Sequence, residues 1–165
     1  MQEHGPLPES QKPSIPLSGN ANAMGNNKAK RNDKDKKEEL RVEQINATTL
    51  AYLGDSVYEV YIREHLISAG NFKVDRLHKS ATKYVSAKAQ SMIITKLRED
   101  KFLTDEEEGV FKRGKNRHTN TLPKNTSPLT YKEATGFEAL IGYLYILGKN
   151  DRIIEIVNKA IEIVG

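Results

Sequence analysis

Thr49-Leu50-Ala51-Tyr52-Leu53-Gly54-Asp55-Ser56-Val57-Tyr58 is the stretch whose reading decides the fold. Leu50, Leu53 and Val57 recur at the three- and four-residue steps of a helix, and Val60 and Tyr61 extend the same side. Asn46 stands in front of this run as an N-cap and Gly70-Asn71 behind it as a stop, so the pattern predicts a helix from about Ala47 to Ile67. Within it sits a carboxylate among mostly apolar neighbours. Burying Asp55 alone would be costly, so it should face a cleft, a cation or a hydrogen-bond network. An ordinary surface position is the competing reading. Glu59, one turn on, shares its face and is an auxiliary candidate; a salt-bridged helix position accounts for it equally well.

Toward the C-terminus the helical period continues. A second region is predicted from about Val74 to Arg98, broken near Thr82. Thr104 and Glu107 have capping-box spacing, and Asp105, Glu106 and Glu108 put negative charge in the first turn of a short helix fading at Gly114. Thr130 and Glu133 repeat the capping pattern ahead of a strongly apolar helix through Gly148, and Asn150 or Asp151 opens a last helix to Val164. No segment alternates as a half-buried strand would. The reading is all-α, about six helices, with one long polar and basic loop between Lys112 and Leu129.

Toward the N-terminus the character changes. Residues 1–23 carry Pro6, Pro8, Pro13 and Pro16, few large apolar residues and no helical period, and Met24 follows them, which is the pattern of a leader carried over from an expression vector. Residues 24–39 mix Lys and Arg with Asp and Glu and contain almost nothing to bury, as expected of a solvated tail. Residues 40–165 then form a single folded domain, within the size range of one core. No apolar run approaches the roughly 20 residues of a membrane helix, so the expectation is a cytoplasmic protein with no membrane partner. The chain has no Cys, which excludes disulfides and thiolate metal sites, and its net charge of +4 suits a polyanionic partner without specifying one.

The second informative stretch is Phe137-Glu138-Ala139-Leu140-Ile141-Gly142. Glu138 is the only charge in a helix apolar on nearly every face, while Gly136, Ala139 and Gly142 admit another backbone. Two carboxylates on two packed helices, with no Cys and no suitably spaced His pair, suit Mg²⁺, which takes a few protein oxygens and keeps several waters. Asp55 and Glu138 are therefore the candidate metal ligands and catalytic residues, with Mn²⁺ as a substitute ion. The third feature is basic. From Phe111 to Lys132 there is no Asp or Glu, while Lys112, Arg113, Lys115, Arg117 and Lys124 are interleaved with Asn116 and other small polar residues. Lys and Arg neutralise phosphates, and Asn, Thr and Ser can bond phosphate and ribose oxygens, so these residues are the candidate RNA contacts. A solvated connector is the plainer alternative.

Leu53-Gly54-Asp55-Ser56-Val57 resembles the signature helix of the ribonuclease III family, and Phe137-Glu138-Ala139-Leu140-Ile141-Gly142 resembles its second catalytic helix, in the same order. Val85-Ser86-Ala87-Lys88-Ala89-Gln90, Lys112 to Asn116 and Pro123 to Thr126 are similar to its Mini-III branch. The resemblance covers about Ala47 to the C-terminus. It implies the ribonuclease III endonuclease-domain fold without a separate RNA-binding domain, a Mg²⁺-dependent homodimer, and cleavage of double-stranded RNA to a 5′-phosphate and a 3′-hydroxyl. It further implies maturation of the ends of the 23S ribosomal RNA precursor. It places Ser86, Lys88 and Gln90 near the cleft and so adds Lys88 to the candidate RNA contacts, though close packing of an alanine-rich face also explains that segment. The acidic set is reduced: Thr48 and Ala51 in the first helix, and Thr135 in the second, stand where the wider family has carboxylates. That motivates an alternative, a non-catalytic RNA-binding or ribosome-assembly protein on the same fold. An all-α nucleotide pyrophosphohydrolase is a further alternative; it would need dense acidic clusters, and Glu106-Glu107-Glu108 is better explained by capping. Leu53, Val57 and Tyr61 are the expected dimer interface, with a core role the other reading.

Overall fold

The computed structural model describes residues 41–42, 44–70, 72–119 and 121–165. The stretches expected to be a leader (1–23) and a charged tail (24–39) lie outside the described residues. Among those described there is no strand, and the helices are α1 (Ala47–Ser68), α2 (Val74–Val85), α3 (Ala87–Glu99), α4 (Asp105–Lys115), α5 (Pro128–Ile146) and α6 (Asn150–Val164). None is long and apolar enough to cross a membrane.

α1 begins as its sequence predicts, with the Asn46 side chain accepting from the Thr48 amide at 2.9 Å. The long region after it is divided at Ser86 rather than near Thr82. Ser86 is extended and its hydroxyl accepts from the Ala89 amide, so one residue ends α2 and caps α3. α4 carries the full Thr104–Glu107 capping box. α5, by contrast, does not use Thr130 and Glu133 as its box: Ser127 is the cap, accepting from the Thr130 amide, and Pro128 occupies the first turn, where its missing N–H costs nothing. Glu133 is thereby freed to face α3 and α4.

α5 is the axis of the domain. It packs against α1, α3, α4 and α6, and is buried on almost all sides, which is why its sequence is apolar nearly all round. Phe137 meets Tyr58 of α1 edge-on, ring centroids 5.0 Å apart, and the Tyr58 hydroxyl donates to the Tyr84 carbonyl at the end of α2. Val57, expected at a dimer interface, is a core residue; Leu53 and Tyr61 pack partly against that core. The large apolar residues α1 leaves in solvent are instead Tyr52 and Val60, 82% and 63% exposed, and Ile67 near its C-terminal end. A second anchor lies at the other end of α4. Arg152 of α6 donates from Nε and Nη2 to the two oxygens of buried Glu107, at 2.8 and 3.0 Å, and from Nη2 to the Phe102 carbonyl. That two-pronged geometry satisfies a carboxylate which would otherwise be stranded in the core.

Candidate active site

The site is built by a contact between two backbones. A Cβ added at Gly54 would lie 1.7 Å from the Glu138 carbonyl oxygen, and one at Gly142 would lie 2.0 Å from the Leu50 carbonyl oxygen. α1 and α5 therefore cross at glycine-to-backbone distance, and no other residue fits either position. Because Asp55 follows Gly54, and the backbone of Glu138 itself touches Gly54, this crossing sets the two carboxylates side by side. Asp55 sits exposed at the rim, and Glu138 is largely enclosed.

Their electrostatics reflect that placement. Burial, then the charge of Asp55, pushes Glu138 up to about 8, against a hydrogen bond from Gln90 that favours the ionised form. Asp55 is also held above its ordinary value, by partial burial and then by Glu59. Neither carboxylate has an ion-pair partner among the described residues. Glu59 is occupied elsewhere: Arg63 donates to it at 2.7 Å, one turn along α1. The pair thus has the character of a cation site, two hard oxygen donors whose mutual repulsion only a positive charge would relieve. No group of three His, Cys, Asp or Glu that could hold a metal occurs among the described residues.

Gln90 closes the site from α3. It is fully buried, its Nε2 donates to the Val85 carbonyl at 3.1 Å as well as serving Glu138, and its Oε1 has no partner among the described residues. An amide held this way orients the Glu138 carboxylate. The sequence placed Gln90 near the cleft only by resemblance; its burial among Ile93, Ile94 and Leu97 could not be distinguished there from alanine-rich packing. Glu133 was read only as part of a cap, yet it accepts from the Ser91 hydroxyl and lies 3.9 Å from Lys115 Nζ, tying α3, α4 and α5 together.

The basic residues divide into two groups. Lys112, Arg113 and Lys115 belong to the last turns of α4 rather than to the loop, where positive charge also complements the helix dipole, and Asn116 is the C-cap. Lys112, Arg113, Asn116 and Lys124 are exposed, as is Lys88 on the first turn of α3. Lys115 and Arg117 are half-buried and turn toward α5, where they line a small cavity with Thr48, Tyr131, Lys132 and Thr135.

The ribonuclease III domain family matches residues 48–149, from the start of α1 to the end of α5 and the turn beyond it. The chain belongs to the ribonuclease III family, in its Mini-ribonuclease 3 branch. It is 46% identical over 122 residues to the Mini-ribonuclease 3 of Enterococcus faecalis, covering 74% of this chain and 92% of that one. With the Mini-ribonuclease 3 of Brevibacillus brevis it is 48% identical over 119 residues, covering 72% and 87%. A crystal structure of a Fusobacterium nucleatum protein superposes with a TM-score of 0.66 at 36% identity, covering 73% of this chain and 95% of that one. As a ribonuclease III family member the protein is an endoribonuclease. The reduced acidic set therefore belongs to an enzyme rather than to an inactive relative. The matched region includes α1 and α5, the helices that carry the two stretches resembling the family's motifs, and the Gly54–Gly142 crossing is what joins them.

Proposed function

We propose that this endoribonuclease cuts double-stranded RNA at a Mg²⁺ site made by Asp55 and Glu138, with Mn²⁺ as a substitute ion. The observation that carries the proposal is the uncompensated pair itself: two carboxylates at one helix crossing, each held above its ordinary value, with no ion pair to a cation among the described residues. When bound, a divalent ion there lowers the pKa of a water and offsets charge on the phosphoryl oxygens. Glu138 must give up its proton to serve as a ligand, and the Gln90 amide, which donates to its ionised form, assists that step and fixes the carboxylate's direction. Asp55, at the rim, leaves the approach open to a phosphodiester from outside. In-line attack of water would leave a 5′-phosphate and a 3′-hydroxyl.

A duplex has two antiparallel strands, and one site per protomer in a two-fold homodimer would cut one strand each. The exposed Tyr52 and Ser56 flank Asp55 on α1, so a dimer closing on that part of the helix would bring two Asp55 sites to one face. The exposed Lys88, Lys112, Arg113, Asn116 and Lys124 would hold backbone phosphates around it, and the 23S ribosomal RNA precursor of the cytoplasm is the substrate that the Mini-III resemblance favours. Cleavage of a labelled duplex with Mg²⁺, by the native protein and by Asp55→Asn and Glu138→Gln, tests the site. We expect cuts only from the native chain; turnover by either variant at the native rate would overturn the assignment.

A further inference from the structure

We infer that the cavity walled by Thr48, Lys115, Arg117, Tyr131, Lys132 and Thr135 is a subsite for a single backbone phosphate of the RNA, next to the phosphate that is cut. The inference rests on the reading of Asp55 and Glu138 as the cutting site, because its position is defined relative to them. Thr135 precedes Glu138 by one turn of α5 and Thr48 precedes Asp55 by two turns of α1. At 1.5 Å of rise per residue these are roughly 4.5 and 10 Å along the two helices, about one to three phosphate steps at roughly 3.4 Å of axis per step on one strand.

The cavity is about 40 Å³. Pockets for drug-sized ligands run to roughly 300–1,000 Å³, so a nucleoside does not fit and a single tetrahedral anion is the suitable size. Its lining has three cations and no carboxylate. Arg117 and Lys132 are half-buried and in no ion pair among the described residues, so no carboxylate there competes with an incoming anion for them. Lys115 is steered from two sides, by Glu133 at 3.9 Å and by the Phe111 ring at 5.9 Å, leaving it directed along the wall rather than out into solvent. The Thr135 hydroxyl already donates to the Tyr131 carbonyl and the Thr119 hydroxyl to the Thr121 carbonyl. The hydroxyls of Thr48 and Tyr131 donate to nothing among the described residues, so they and the three cations are the available donors. Charge, size and free donors agree on phosphate, and Thr135 and Thr48, which lie on the Glu138 and Asp55 sides of their helices, place it beside the strand being cut.

Two arms test this, using the full chain without divalent metal. In the first, the ¹⁵N-labelled protein is titrated with inorganic phosphate against chloride at matched ionic strength. Saturable shifts are expected at the amides of Thr48, Lys132 and Thr135, and their loss in Arg117→Gln/Lys132→Gln, a size-conserving double variant whose native spectrum elsewhere reports its folding. In the second, short duplexes carry one neutral methylphosphonate at each of the two linkages on either side of the scissile one, in turn. One such linkage should weaken binding to the native protein about tenfold and leave the double variant indifferent. No saturable shifts in the first arm, or equal sensitivity of the two proteins in the second, would overturn the subsite. Phosphate shifts without any sensitive linkage would mean a free-phosphate site and would also overturn it. Failure of the cutting-site reading shows separately, as native protein that does not cleave the unmodified duplex when Mg²⁺ is restored.

Discussion

Glu138→Gln should stabilise the metal-free protein at alkaline pH while removing its activity. In the folded chain Glu138 keeps its proton up to a pH of about 8, against an ordinary value of 4.5. Between those values the unfolded chain has released a proton that the folded chain still holds. Folding is therefore fully favoured below pH 4.5, loses stability as pH rises toward 8, and levels off above it. The difference, 8 − 4.5 = 3.5 pH units at 1.36 kcal/mol each, is a loss of about 5 kcal/mol on crossing that window. Glutamine does not titrate, but burying its amide with incomplete partners costs roughly 1–3 kcal/mol of the same quantity. The variant should thus exceed the native protein by roughly 2–4 kcal/mol at pH 9 in EDTA, and fall below it by roughly 1–3 kcal/mol at pH 4.5. Urea unfolding at a series of pH values, with unchanged m-values, measures this directly. Native and variant curves that stay parallel from pH 4.5 to 9 would refute the argument that burial and Asp55 hold Glu138 protonated.

Three further outcomes follow from the same geometry. The Mg²⁺ concentration for half-maximal cleavage should rise as pH falls below 8, up to tenfold per unit, because each ion bound must displace one proton from Glu138; a pH-independent requirement would contradict this. Gly54→Ala should cost at least about 3 kcal/mol in denaturant unfolding and lose cleavage with it, since its Cβ would meet the rigid Glu138 carbonyl oxygen at 1.7 Å, whereas Gly109→Ala, with nothing within 4 Å, should be neutral or better. Arg152→Ala should cost roughly 3–5 kcal/mol by stranding the Glu107 carboxylate, and Arg152→Ala/Glu107→Gln should recover part of it; equal losses in both would remove the ion pair as the cause.

Much of this fold was legible because its helices announce themselves locally. Asn46, Thr104 and Asn150 mark their helix starts to within a residue, and the apolar circumference of α5 identified the central helix. Where the sequence misled, the deciding interaction was tertiary. Thr130 and Glu133 have the spacing of a capping box, but Glu133 finds Ser91 and Lys115 across the domain, and Pro128 lets the helix begin earlier. Lys112, Arg113 and Lys115 read as loop because Gly114 interrupts the pattern; in the fold Gly114 is where α4 packs onto Gly136 and Ala139, and the helix continues through it. Val57 read as an interface residue because periodicity shows which side of a helix is apolar and not which neighbour covers it. The clamp of Arg152 on Glu107 joins residues 45 positions apart, for which the sequence holds no spacing rule. Asp55 and Glu138 stood out as carboxylates in apolar helices; that they repel each other is a property of the Gly54–Gly142 crossing alone.

The central claim, that these two carboxylates hold the metal, is tested most directly by Mn²⁺ binding without substrate. Electron paramagnetic resonance of free Mn²⁺ during titration with the native protein, Asp55→Asn and Glu138→Gln at pH 8.5 would report it. The native chain should take up Mn²⁺ saturably and release it to competing Mg²⁺, and each variant should bind at least roughly tenfold more weakly, on the scale of a lost ligand or its support. Native-strength Mn²⁺ binding in both variants would contradict the account.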